Sequence, residues 1–156
     1  MNRSHASKGF TFIEMLAVLA IIGILSAMVI YWYGSARSNA LLSSTTDSIV
    51  ATLESAKNNA LAGKNGQSYG VKFATSTYIS FIGTTYSAVA TTNIAYTVDS
   101  SLSLSETISD PNNIIIFDRL TGAANTTATV TVMQVSNNAN KKNILIENQG
   151  DVGVVQ

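Results

Sequence analysis

Apolar residues fill the chain from Phe10 to Tyr33, where Glu14 is the only charged side chain. As an α-helix these 24 residues would span about 36 Å, more than a bilayer hydrocarbon core of roughly 30 Å. Arg3 and Lys8 precede the run, and basic residues beside a membrane helix stay on the cytoplasmic side. The pattern therefore predicts a transmembrane helix over residues 10–33 with its N-terminus in the cytoplasm.

After Gly34 the apolar spacing becomes that of an amphipathic helix. One face carries apolar residues at spacings of seven, four, three and four, namely Leu42, Ile49, Leu53, Ala56 and Ala60. The other side carries charged residues, namely Arg37, Asp47, Glu54 and Lys57. Gly63 is a typical helix end. We therefore predict one long helix from Phe10 to Ala62, whose segment 34–63 continues into the globular domain, with Gly34 as a flexible point.

Residues 64–156 show a period of two, which is typical of β-strands. Apolar residues alternate or cluster over 69–73, 79–81, 94–98, 130–132, 144–146 and 152–155, and 114–117 is a continuous apolar run expected to be fully buried. Segment 137–143 is expected to be a turn between two strands. The predicted fold class is α+β, with a long N-terminal helix packed on a small antiparallel β-sheet domain.

Three interpretations fit the N-terminus. A secretory signal peptide would be cleaved near Ala27 or near residues 34–36, but the apolar run is long for one and carries Glu14 at its start. A signal anchor would stay unprocessed. A leader peptide of a third kind would be cut ahead of the apolar run.

The third interpretation rests on a resemblance. The segment Lys8-Gly9-Phe10-Thr11-Phe12-Ile13-Glu14-Met15-Leu16, followed by an unbroken apolar run, resembles the signal of type IV pilins and type II secretion pseudopilins. The resemblance implies that a prepilin peptidase cuts between Gly9 and Phe10, removes the leader 1–9 and N-methylates Phe10. The helix 10–33 would then serve as membrane anchor and filament core, and the fold would be pilin-like.

Glu14 also has a physical interpretation. An unpaired carboxylate in apolar surroundings is costly. Cleavage after Gly9 would create an ammonium group at Phe10, and in a staggered bundle Glu14 of one subunit can meet the Phe10 ammonium of its neighbour. The alternative is a solvated Glu14 at the headgroup level without a partner.

The chain departs from the family near Tyr31, where many pilins have a proline, since the only proline here is Pro111. The first helix is therefore expected to be straighter. Residues 31–33 form an aromatic cluster that suits an interfacial belt and suits packing between subunits equally well.

A narrower resemblance concerns the globular part. The segment 53–61, followed by Gly66 and the strand 69–73, is similar to the GspH/FimT group of minor pilins. Segments 116–122 and 144–150, each ending in glycine, resemble late strand segments of that group.

The composition limits the kinds of catalytic and binding site that the chain can form. The 156 residues contain no Cys, and the single His, His5, lies in the predicted leader, so thiolate and histidine sites are not expected. The carboxylates are scattered; a calcium site at Asp110, Asn112 and Asp118 is an alternative to solvated loops. Lys64 and the pair 141–142 are too few basic residues for a DNA site. We therefore expect no enzyme activity, no catalytic residue, no metal and no cofactor.

The sequence thus predicts a structural subunit of a type IV pilus or pilus-like filament. Its expected partners are prepilin peptidase, other pilin or pseudopilin subunits and inner-membrane lipid; nucleic acid is a partner only if the filament is a competence pilus. The protein would cross the inner membrane once and then enter an extracytoplasmic filament. The alternatives are a type II secretion or DNA-uptake pseudopilin and a signal-anchored extracytoplasmic ligand-binding β-domain.

Overall fold

The computed structural model describes residues 10–155, except for the side chains of residues 29–33. The predicted leader 1–9 and the aromatic cluster at 31–33 therefore lie outside the described residues. The chain divides into two compact units, residues 1–37 and residues 38–156.

Helix α1 runs from Phe12 to Leu61, which confirms the predicted long helix to within two residues at each end. In the first unit its large apolar side chains are exposed, from 44% at Val18 to 81% at Phe12. Within the described residues, no helix is both long enough and apolar enough for a membrane crossing. The transmembrane part of the predicted fold is thus not confirmed.

In the second unit α1 buries the predicted face: Leu42, Ile49, Leu53, Ala56 and Ala60 are all at most 2% exposed. Thr46, fully buried, completes this face between Leu42 and Ile49. Its hydroxyl donates a hydrogen bond of 2.8 Å to the Leu42 carbonyl oxygen, one turn earlier. A buried hydroxyl is tolerated when it is bonded in this way, so a polar residue can occupy a core position of the helix.

Gly63 ends the helix as predicted, since it adopts the left-handed conformation with φ 58°. The carbonyl oxygen of Ala60 accepts two backbone hydrogen bonds of 2.9 Å each, from the N–H of Gly63 and from that of Leu120. A loop distant in sequence therefore supplies a hydrogen-bond donor to one of the last carbonyl groups of the helix. A short 3₁₀ helix, Lys64–Gly66, follows.

Eight strands make up the rest of the second unit: β1 Tyr69–Ala74, β2 Thr77–Ile82, β3 Ile94–Thr97, β4 Leu102–Ile108, β5 Ile114–Phe117, β6 Ala128–Gln134, β7 Asn137–Ile146 and β8 Val152–Val155. They form two four-stranded antiparallel sheets. The first sheet has the order β3-β2-β1-β5, and the second has the order β4-β6-β7-β8. The predicted α+β class with antiparallel sheets is confirmed.

The core lies between α1 and the two sheets. Its largest fully buried side chains come from all three elements and include Ile49 and Leu53 of α1, Phe73 and Phe117 of the first sheet, and Ile144 and Ile146 of the second. Burying such side chains removes apolar surface from water and supplies the main stabilisation of the unit.

Two sequence predictions about the strands are wrong, and β4 was not predicted at all. Residues 137–143 are not a turn: β7 begins at Asn137, and the turn lies at Val135 and Ser136. The polar side chains of this part of β7 are largely exposed, while its backbone pairs with β6. Ile116 is only half-buried, so β5 is not fully buried.

The two glycine-ended segments, 116–122 and 144–150, meet in the structure. The N–H of Ala124 donates to the Asn148 carbonyl oxygen at 3.0 Å. Gly150 has φ 81°, and a Cβ at this position would overlap the Gly122 carbonyl oxygen. Glycine at position 150 therefore permits a close backbone contact that a side chain there would block.

Candidate assembly site at the N-terminal helix

The start of α1 is capped by a reciprocal pair of hydrogen bonds between Thr11 and Glu14. The Glu14 N–H donates to the Thr11 hydroxyl oxygen at 3.3 Å, and the Thr11 N–H donates to Glu14 Oε2 at 3.4 Å. This is a capping box, in which two side chains satisfy two backbone N–H groups that the helix leaves unpaired. The carboxylate also lies in the first helical turn, where the helix dipole favours negative charge.

Sequence reasoning singled out Glu14 and missed Thr11. The signal was present as Thr-x-x-Glu directly before an apolar run, which is the sequence signature of a capping box. Glu14 is therefore not merely an isolated charge at the edge of an apolar segment: it closes the first turn of its own helix.

The other predicted site residues stand as follows. Phe10 directly precedes the cap and is 77% exposed. Gly9 lies outside the described residues. Since the structure contains one chain, cleavage, N-methylation and the pairing of Glu14 with the Phe10 of a neighbour stay predictions.

The helix surface beyond the cap is apolar on all sides. Its exposed large side chains between residues 10 and 28 are Phe10, Phe12, Ile13, Met15, Leu16, Val18, Leu19, Ile21, Ile22, Ile24, Leu25 and Met28. A helix that is apolar all round is normally covered by lipid or by other protein. An exposed apolar surface of this extent marks an interaction site.

The polar side chains of residues 10–28 are Thr11, Glu14 and Ser26, and each is bonded within the helix. Ser26 donates its hydroxyl to the Ile22 carbonyl oxygen at 2.7 Å. Glu14 Oε1, however, makes no hydrogen bond to the described residues. Oε1 is therefore a charged acceptor that the described residues leave unsatisfied, and it would be costly to bury in apolar surroundings without a partner.

At the alternative calcium site, Asp110 Oδ1 accepts the N–H of Asn112 at 2.8 Å, within its own turn. Among the described residues, no three His, Cys, Asp or Glu side chains form a group that could hold a metal ion. A site that includes the Asn112 side chain stays an alternative.

Residues 4–30 match the family model described as the prokaryotic N-terminal methylation motif. This range contains Gly9, Phe10, Thr11 and Glu14, together with most of the exposed apolar helix. Sequence comparison with curated proteins gives no match.

Solved structures share the fold. The type IV minor pilin FimU of Pseudomonas aeruginosa aligns with a TM-score of 0.58 and 15% identity, over 74% of this chain and 93% of FimU. The minor pseudopilin EpsH of the Vibrio cholerae type 2 secretion system aligns with a TM-score of 0.56 and 14% identity, over 73% of this chain and 95% of EpsH. The pilin-like fold is therefore confirmed. The chain thus combines the N-terminal methylation motif with the fold of FimU and EpsH.

Proposed function

We propose that this pilin-like chain is a non-enzymatic structural subunit of a type IV pilus or a related pseudopilus, assembled through its N-terminal helix. The observation that carries the proposal is the N-terminal methylation motif over residues 4–30, on a helix whose apolar surface is exposed. The shared fold with FimU and EpsH supports the same class of protein.

Processing follows from the motif. A prepilin peptidase cuts between Gly9 and Phe10, discards residues 1–9 and methylates the new amino group of Phe10. The product carries a cationic nitrogen one residue ahead of Thr11 and close along the chain to the Glu14 carboxylate.

Assembly then pairs charges between subunits. Glu14 keeps Oε2 on the Thr11 N–H, so its conformation is fixed, and Oε1 accepts a hydrogen bond from the Phe10 ammonium of a neighbour. A charge-assisted bond of this kind is stronger than a neutral one, particularly where water is excluded. Pairing gives Glu14 Oε1 a donor and fixes the axial register of neighbouring helices.

Before assembly, the same apolar surface would contact membrane lipid. We propose that the subunit waits in the inner membrane with its N-terminus in the cytoplasm and the β-domain outside, and that lipid covers residues 10–33. The basic residues Arg3 and Lys8 support this orientation. Entry into the filament exchanges lipid contacts for helix contacts.

FimU is a minor pilin and EpsH is a minor pseudopilin, and this favours a minor rather than a bulk position for this chain. The same comparisons are compatible with a pilus and with a type II secretion pseudopilus. A DNA-uptake pilus is the setting in which nucleic acid becomes a partner.

The test is incorporation of Glu14→Ala into sheared filaments, measured by immunoblot against the cell-bound pool. We expect normal cleavage and at least about tenfold less incorporation, equivalent to a loss of about 1.4 kcal/mol or more per contact. Glu54→Ala, which removes an exposed carboxylate elsewhere on α1, is the matched control and should incorporate normally. Wild-type incorporation of Glu14→Ala would refute the pairing role.

A further inference from the structure

A groove of about 390 Å³ separates one flank of α1 from the β2–β3 side of the first sheet. The helix contributes Thr52, Ser55 and Asn59, and the sheet contributes Ser80, Ile94 and Tyr96. Its volume lies within the range of small-ligand sites, roughly 300–1,000 Å³. The groove lies wholly within the second unit and contains none of the residues proposed for filament assembly.

An aromatic platform occupies the sheet side of the groove. Tyr96 stacks on Tyr78 with ring centroids 4.9 Å apart and an interplanar angle of 11°. Tyr78 is buried, whereas Tyr96 is 37% exposed. The buried ring thus holds the exposed ring in a fixed orientation, which lowers the entropic cost of stacking a ligand on it.

The helix-end side of the groove is also held in place. Asn65 lies in the left-handed region with φ 55° and ψ 12°, which asparagine adopts more readily than most other residues. Its amide donates to the Tyr69 hydroxyl oxygen at 3.3 Å, and that hydroxyl donates to the Lys64 carbonyl oxygen at 3.4 Å. These two bonds fix the Asn65 and Tyr69 side chains at this end of the groove.

The polarity of the lining selects an uncharged, hydroxyl-rich ligand. Hydroxyl and amide groups, which both donate and accept, come from Thr52, Ser55, Asn59 and Ser80. Among the described residues that line the groove, Lys64 is the only charged one. A single cation is too little for nucleic acid, and the polar flank on α1 suits an apolar peptide helix poorly.

We propose that this groove binds a neutral oligosaccharide, with one sugar ring stacked on Tyr96. Hydroxyl and acetamido groups of the sugar bond to Ser55 and Asn59 on the helix side of the groove. This adds a glycan-binding function to the globular domain, and it does not depend on the filament role.

Titration calorimetry of the full chain tests the proposal, in micelles of a zwitterionic detergent that carries no sugar headgroup. The probes are chitotriose in its N-acetylated form and cellotriose. We expect saturable one-to-one binding of at least one probe, weakened about tenfold or more by Tyr96→Ala. Tyr86→Ala, which removes a tyrosine outside the groove lining, should bind like wild type.

A second variant protects the test against misfolding of Tyr96→Ala. Ser55 is exposed on the helix, so Ser55→Trp fills the groove without entering the core, and it should also abolish binding. Absence of saturable binding up to about 10 mM of both probes, or binding that neither variant changes, would overturn the proposal. So would efficient cross-linking of Ser55→Cys to a second subunit in filaments, because the groove would then be a subunit contact.

Discussion

Thr11 and Glu14 cap each other at the start of α1: the Thr11 hydroxyl oxygen lies 3.3 Å from the Glu14 backbone nitrogen, and Glu14 Oε2 lies 3.4 Å from the Thr11 nitrogen. One carboxylate oxygen is thus used within the chain, and the other makes no hydrogen bond to the described residues. This division allows a single side chain to start the helix and, in our proposal, to receive the charged terminus of a neighbour.

The cap makes a testable prediction about the first helical turn. Thr11→Val keeps the β-branched shape but removes the accepting hydroxyl, and loss of a cap costs about 0.5–2 kcal/mol. We expect faster amide hydrogen exchange at Glu14, whose N–H loses its acceptor, in micelles, measured by NMR. Thr11→Ser retains the oxygen and should behave like wild type. Unchanged exchange in Thr11→Val would show that the cap contributes nothing.

The close approach of two loops predicts that Gly150 cannot be replaced without loss of stability. Gly150→Ala places a Cβ against the Gly122 carbonyl oxygen at φ 81°, so we expect destabilisation by about 2–4 kcal/mol in thermal unfolding of the full chain. Gly153→Ala is the matched control in the adjoining strand: a Cβ there meets nothing within 4 Å. Its unfolding should change by less than about 1 kcal/mol. Equal effects of the two substitutions would contradict the contact.

Burial of Tyr78 predicts a loss of stability at high pH. Desolvation raises the pKa of Tyr78 above 10.0, and the nearby Tyr96 adds to the rise, while a hydrogen bond with Thr52 lowers it in part. The neutral phenol is therefore favoured in the folded state. The neutral Tyr78 therefore contributes to the free energy of unfolding. This contribution is fully present below pH 10 and is lost as the pH rises above 10, because Tyr78 ionises first in the unfolded chain.

The measurement is the free energy of unfolding between pH 8 and the alkaline range. One such group contributes a slope of at most about 1.4 kcal/mol per pH unit. Tyr78→Phe cannot ionise, so its curve should be flatter than that of wild type above pH 10. Parallel curves for the two proteins would show that Tyr78 titrates alike in the folded and unfolded chains.

The ion pair between α1 and the start of β8 should contribute little. Lys57 Nζ lies 2.9 Å from Asp151 Oδ1, but the two side chains are 22% and 70% exposed. Exposed pairs typically contribute below about 1 kcal/mol and weaken in salt. A double-mutant cycle with Lys57→Met and Asp151→Asn should give a coupling of this size that falls with ionic strength. A coupling above about 2 kcal/mol would contradict this.

Local patterns predicted the helix well because its periodicity is encoded within a few turns. Leu42, Ile49, Leu53, Ala56 and Ala60 were assigned to one face, and all five are buried. Thr46 could not be recognised as a core residue from polarity alone, since its hydroxyl is satisfied by the backbone of its own helix.

Strands were harder to predict because their pairing is non-local. In β4, Leu102 and Leu104 are buried, but Ser103 between them and the serines on either side gave the run a turn-like composition. The start of β7 is rich in Asn and Lys, yet it pairs with β6 through backbone bonds that need no apolar side chain. The groove beside Tyr96 is formed by residues far apart in sequence, so no local sequence motif predicts it.

The most direct test of the central claim is mass spectrometry of the mature N-terminus, after expression beside a prepilin peptidase. The filament proposal predicts a chain that begins at Phe10 and carries one added methyl group on its amino nitrogen, and it predicts that a Gly9 substitution leaves the leader attached. A chain that retains Met1, or one that begins near Arg37, would contradict the proposal.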